Sequence, residues 1–162
     1  MNPVIQSKIE DHSLVPLFDL PATGGKRVTT WSYKGRMNLV IFFLDFSSAE
    51  VLDQFRKLAG LYPQFQGHNT EILVVSQDNI ETLEKLSREL GLPFPLISDV
   101  DGSVTDAYTA RTPAVFVIDR YGELYAQSLA EADREFPDSQ RLLDCLHLIE
   151  LQCPECGVPT WT

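Results

Sequence analysis

Sulfur is the softest nucleophile and metal ligand a chain can offer, and here it occurs three times, at Cys145, Cys153 and Cys156, all within the last eighteen residues. Cys153-Pro-Glu-Cys156-Gly is the sharpest chemical signal. Two thiols in one tight turn can hold half of a metal site or close into a reversible disulfide, so both are candidate redox residues and candidate zinc ligands. Proline inside the pair and glycine after it suit a zinc-ribbon or rubredoxin knuckle. A closed zinc site takes four ligands and a knuckle supplies two. Cys145 and His147 are candidates for the remainder, although two residues apart on a helix they point in different directions. A second copy of the knuckle from another subunit supplies the missing ligands more simply. Cys145 also fits a small core residue on the Leu142/Ile149 face, and His147 a solvated or capping side chain; for both, these are stronger readings than ligation. His12 and His68 stand among polar neighbours and read as surface residues.

A hydroxyl and a carboxylate three residues apart, Ser47 and Glu50, form a second constellation. They suggest acid/base work, but they also make a capping box, in which Ser47 accepts from backbone N–H groups and Glu50 returns the bond at the positive end of a helix. Capping is the stronger reading.

The elements that must position these residues follow from periodicity. Leu17 to Leu20 and Arg27 to Thr30 flank Thr23-Gly24-Gly25-Lys26, a hairpin signature. Leu39 to Leu44 is an apolar run without alternation, the pattern of a central strand covered on both faces. Val51, Phe55, Leu58 and Tyr62 then recur at helical spacing. Ile72 to Ser76 reads as a second buried strand, leading to a helix over Ile80 to Leu90 capped by Asp78 and Glu81 and stopped by Gly91 and Pro93. Strand, helix, strand, helix implies parallel pairing. Asp99-Val-Asp-Gly-Ser103 is a turn that opens a short helix through Tyr108, and Ala114 to Asp119 with Glu123 to Gln127 reads as an antiparallel hairpin. The charged run Glu131 to Asp138 reads as a linker or loop, and Gln140 to Leu151 is a helix with Leu142, Leu143, Leu146 and Ile149 on one side.

Composition narrows the partners. The 162 residues, 44% of them hydrophobic, suit one domain with a real core. A formal charge of -10 without a basic stripe argues against nucleic acid and anionic membranes. No apolar run approaches the length of a membrane helix, and the first residues lack the basic-then-apolar pattern of a secretory signal, so a cytoplasmic protein is expected. Thiols there are kept reduced, which favours metal binding or redox activity over a structural disulfide at Cys153 and Cys156.

Four ordered segments carry a resemblance: Pro16-Leu-Phe-Asp-Leu-Pro with Gly24-Gly25-Lys26, Tyr33-Lys-Gly-Arg36 leading into Leu39 to Phe43, Leu92-Pro-Phe-Pro-Leu-Ile-Ser-Asp-Val-Asp-Gly102, and Thr112-Pro-Ala-Val-Phe-Val-Ile-Asp119. Over about Pro16 to Gln127 the chain resembles the alkyl hydroperoxide reductase/thiol-specific antioxidant family, the peroxiredoxins. The resemblance implies an α/β, thioredoxin-like fold over residues 1–151: a mixed central sheet with helices on both faces and an N-terminal hairpin, followed by a CxxC tail over 152–162. It also implies an antioxidant or thiol oxidoreductase activity. Aligned on Asp45-Phe46, Ser47 falls on the family's hydroxyl position and Glu50 on its peroxidatic cysteine. Aligned instead on a thioredoxin Cys-x-x-Cys, the same two residues fall on the cysteines. Thr112-Pro113 resembles the cis-proline dipeptide that faces the active site, and Arg111 is loosely comparable to the family's active-site arginine, with a different spacing to Phe116. The expected function is that of a peroxiredoxin-related protein in which any redox chemistry rests on Cys153 and Cys156. The alternative is a non-catalytic scaffold with a zinc-binding or interaction tail. A homodimer or a thiol-redox protein is the partner these readings imply.

Overall fold

A computed structural model describes Ile9 and residues 12–46, 49–110, 112–129 and 139–151. The opening hairpin forms from β1 (Asp19–Ala22) and β2 (Lys26–Thr29), with β1 starting two residues later than the apolar pattern suggests. Gly24 and Gly25 close it at φ +84° and +69°, backbone that side chains with a Cβ rarely adopt.

β3 (Asn38–Phe43) is buried at every position and pairs in parallel with β4 (Thr70–Ser76), Asn38 opposite Thr70 and Phe43 opposite Val75. β5 (Leu96–Ser98) continues the parallel run beside β4. β6 (Ala114–Ile118) lies antiparallel on the other side of β3, and β7 (Leu124–Leu129) antiparallel to β6. The seven strands stand in the order β2-β1-β5-β4-β3-β6-β7. The C-terminal ends of β3, β4 and β5 define an upper end of the sheet, where loops open; their N-terminal ends define the lower end.

The alternation of side chains along each strand divides the core in two. Val40, Phe42, Ile72 and Val74 face α1 (Ala49–Gly67), α2 (Ile80–Leu90) and α4 (Ser139–Leu151) through Phe55, Leu58, Phe65, Leu83, Leu142, Leu146 and Ile149. Ile41, Phe43, Leu73 and Val75 face α3 (Ser103–Tyr108) and the N-terminal segment through Tyr108, Phe18 and Val15. Helices therefore cover both faces. The α2 cap differs from the expected pair: Asn79 is the N-cap, its side chain accepting from Thr82 N–H at 2.9 Å. Asp78 instead accepts from Ser76 Oγ at 2.6 Å, and Gly91 ends the helix in the left-handed conformation as its position predicts.

Candidate functional site

At the upper end β3 passes through Leu44, whose N–H donates to Val75 O at 3.1 Å, into Asp45 and Phe46, and α1 begins at Ala49 with exposed Glu50 in its first turn. Ser47 and Arg111 lie outside the described residues, as do Cys153 and Cys156. The Thr112-Pro113 peptide bond is cis. A cavity of about 250 Å³ opens between these elements, lined by Leu44, Asp45, Ser76, Gln77, Asp78, Thr105 and Thr112. Two carboxylates, an amide and hydroxyls line it; the described lining has neither a thiol nor a cation.

The cavity wall is built by Asp99. Its carboxylate is fully buried at the end of β5 and accepts from Thr105 N–H at 2.7 Å, Thr105 Oγ1 at 2.7 Å and Val104 N–H at 3.3 Å. These bonds satisfy donors of the first turn of α3 and hold Thr105 towards the cavity. Gly102, at φ +73°, lets the turn pass beneath Gln77, whose side chain stands 3.2 Å from where a Cβ would be. Nothing in the residue pattern singled out Asp99 for this role beyond the turn cluster containing it.

The chain matches the AhpC/TSA family over residues 12–127. It belongs to that family. Among the relatives of this AhpC/TSA protein, peroxiredoxin Bcp of Xanthomonas campestris pv. campestris is 28% identical over 93 residues, 56% of this chain and 58% of that protein. The thiol-disulfide oxidoreductase ResA of Bacillus subtilis is 26% identical over 121 residues, 74% of this chain and 67% of that protein. Peroxidoxin BcpB from Mycobacterium tuberculosis superposes with a TM-score of 0.76 over 90% of this chain and 99% of that one, at 17% identity, a likeness of fold alone. The sequence of this family member has no cysteine before position 145. Its cavity is thus assembled at the C-terminal ends of the central strands without sulfur in the loop that leads into α1.

The remaining candidates lie elsewhere. Cys145 is half-buried in α4, and burial pushes its thiol above the ordinary range, which makes it a poor nucleophile. His147 is exposed, two residues on, and does not join it. His68 departs from the lone surface residue expected of it: it follows the last residue of α1, its Nδ1 is 3.0 Å from Glu150 Oε2, and its ring centre is 6.0 Å from that of His147. The end of α4 therefore sits at the lower end of the molecule, beside the C-terminus of α1. Among the described residues no group of three or more His, Cys, Asp or Glu is placed to hold a metal ion. No described helix is long and apolar enough to cross a membrane.

Proposed function

We propose that this AhpC/TSA protein does not carry out peroxidase chemistry at the family's usual position, where Ser47 and Glu50 stand, and that its thiol chemistry rests on Cys153 and Cys156 at the opposite end of the molecule. A hydroperoxide is reduced by a thiolate that becomes a sulfenic acid, and neither a hydroxyl nor a carboxylate can take that path. The contact of Glu150 with His68 carries the spatial part of the reading. α1 has 19 residues, so it spans about 28 Å between Ala49 and the level of that contact. A tail doubling straight back would recover at most about 10 Å of this by Cys153 and about 20 Å by Cys156. Cys153 thus stays about 18 Å short of the level of Ala49, so the two thiols do not work together in the upper cavity, and the pair acts at a separate surface, towards a metal, a second copy or a redox partner.

The test is peroxide consumption by the purified chain with a dithiol donor. Turnover at a peroxidase-like rate is not expected, and slow residual turnover should vanish in the Cys153→Ser/Cys156→Ser double variant. Rapid turnover that survives the double change would overturn the reading.

Thiol–disulfide exchange with an outside protein is the second reading of the same pair, supported by the sequence likeness to ResA. Zinc and a disulfide compete for these sulfurs, because zinc needs both as thiolates.

A further inference from the structure

We propose that a second cavity, at the lower end of the sheet on its α3 side, binds a small organic carboxylate whose apolar part is about the size of a benzene ring. The proposal goes beyond the reading of the thiol pair and does not depend on it.

The cavity measures about 150 Å³ and lies where the N-terminal segment, the loop from β2 to β3 and the β6–β7 turn meet. Its apolar wall comes from Val15, Leu39 and Ile118, all buried, with Met37 beside them. Leu14 and Leu17 also line it, yet they are 63% and 52% exposed, so apolar surface continues from the wall out to solvent. An apolar cavity of this volume takes up a benzene-sized molecule. Small-molecule sites combine such a wall with a few placed polar groups that fix orientation.

Here the placed groups are cations. Lys34 and Arg120 line the same cavity, and among the described residues neither makes an ion pair. Lys34 Nζ stands 5.2 Å from the centre of the Trp31 ring, and the Arg120 guanidinium 5.1 Å from that of Tyr121. An aromatic face attracts a cation but carries no net charge, so both positive charges stay uncancelled. The lining carboxylate, Asp119, is engaged with its own turn: Oδ1 accepts from Tyr121 N–H at 2.9 Å and from Glu123 N–H at 3.1 Å.

Main-chain bonds hold the two cations at one rim. Gly35 N–H donates to Arg120 O at 2.5 Å, which ties the Lys34 loop to the β6–β7 turn, and Val15 N–H donates to Gly122 O at 3.0 Å. A Cβ placed on Gly122, at φ +88°, would stand 3.8 Å from Lys34 Cε and 4.0 Å from Leu14 Cδ2, so the charged and apolar rims meet over that glycine. A carboxylate answers both: its oxygens accept from an ammonium and a guanidinium, while its apolar group enters the cavity. A phosphate monoester, close to doubly charged at neutral pH, would meet stronger repulsion from Asp119. An organic ammonium would face two like charges.

The experiment titrates the isotope-labelled full chain, under reducing conditions, with phenylacetate, its neutral isostere phenylacetamide, benzylamine and phenyl phosphate, following the backbone amides by NMR. The expected result is saturable shifts centred on Val15, Tyr33, Leu39 and Gly122, with phenylacetate bound most tightly and benzylamine least. Lys34→Gln and Arg120→Gln should each weaken phenylacetate by roughly 3- to 10-fold and leave phenylacetamide unchanged, between the effect of an exposed ion pair and that of a charge-assisted hydrogen bond. Lys34→Glu, at an exposed position, should reverse the order of acid and amine. The amide spectra show whether each variant is folded, and Arg120→Gln keeps the proposal testable if a Lys34 variant is not. Absence of saturable shifts at the cavity would overturn the proposal, as would benzylamine or phenyl phosphate binding more tightly than phenylacetate. Unchanged phenylacetate affinity in both glutamine variants would overturn it too. None of these results involves Cys153 or Cys156, so they leave the reading of the thiol pair to its own assay.

Discussion

Replacing Asp99 with alanine should cost about 3 kcal/mol of folding stability and disorganise the wall of the upper cavity. The carboxylate is fully buried and accepts from both donors of Thr105, itself buried at 6% exposure, at 2.7 Å each. Asp99→Ala leaves an N–H and a hydroxyl without a partner away from water, at about 1–3 kcal/mol per group. The longer bond from Val104 N–H, 3.3 Å, adds less. A total near 3 kcal/mol is a large share of the ~5–15 kcal/mol that holds a domain together. At roughly 2–4 °C per kcal/mol for a chain of this size, Tm should fall by about 6–12 °C. Asp99→Asn keeps one acceptor oxygen and should cost about half as much. Urea unfolding followed by far-UV circular dichroism measures all of this. The Asp99→Ala/Thr105→Val pair should be clearly non-additive, since the second change removes a group the first has stranded. Asp99→Ala within about 0.5 kcal/mol of the parent would refute the argument, because that is the range of an indifferent surface change.

Other perturbations test other parts of the molecule. Phe55→Ala should cost about 3–5 kcal/mol in the same unfolding assay, since Phe55 is fully buried and packs edge-on against Phe42 at 5.6 Å. Tyr108→Phe should cost about 1–2 kcal/mol, because the Tyr108 hydroxyl donates to Pro16 O and ties α3 to the N-terminal segment. Asp119 gives a pH test. Burial raises its folded-state pKa against the lowering effect of hydrogen bonds from Tyr121 and Glu123 N–H. An acid whose pKa is raised by folding favours the folded state below its unfolded value, and that contribution is lost as pH rises through the folded value. Asp119→Asn retains the accepting oxygen without the charge, so it should be more stable than the parent at pH 7, with the advantage shrinking as the pH falls towards about 4. Equal stability of the two proteins across that range would contradict the burial argument.

Much of the scaffold is legible in the residue pattern because it rests on strong periodic burial. Leu39 to Leu44 and Ile72 to Ser76 are runs too apolar for an edge, and they became the paired centre of the sheet. The helix over Ile80 to Leu90 was bounded by Gly91, whose left-handed backbone is a local property. The residue pattern puts its cap one residue early, because Asp78, Asn79 and Glu81 all suit a helix start and the bond from Ser76 Oγ, only two residues back, takes up the Asp78 carboxylate. The role of Asp99 is hidden for a similar reason: an acidic turn and a buried capping carboxylate have the same spelling until the sheet closes over it. His68 is the clearest case of information that the linear pattern lacks. Its neighbours in sequence are polar, while its structural partners, His147 and Glu150, come from the far end of the chain.

The central claim is spatial: the thiol pair works far from the cavity its family normally equips with a thiol. Pulsed electron spin resonance between a label on Cys153 and one at Glu50→Cys, in a chain with Cys145 and Cys156 changed to serine, measures that separation directly. From the ~28 Å span of α1, the account predicts a distribution centred above about 20 Å. A distribution centred below about 12 Å, within reach of the upper cavity, would contradict it.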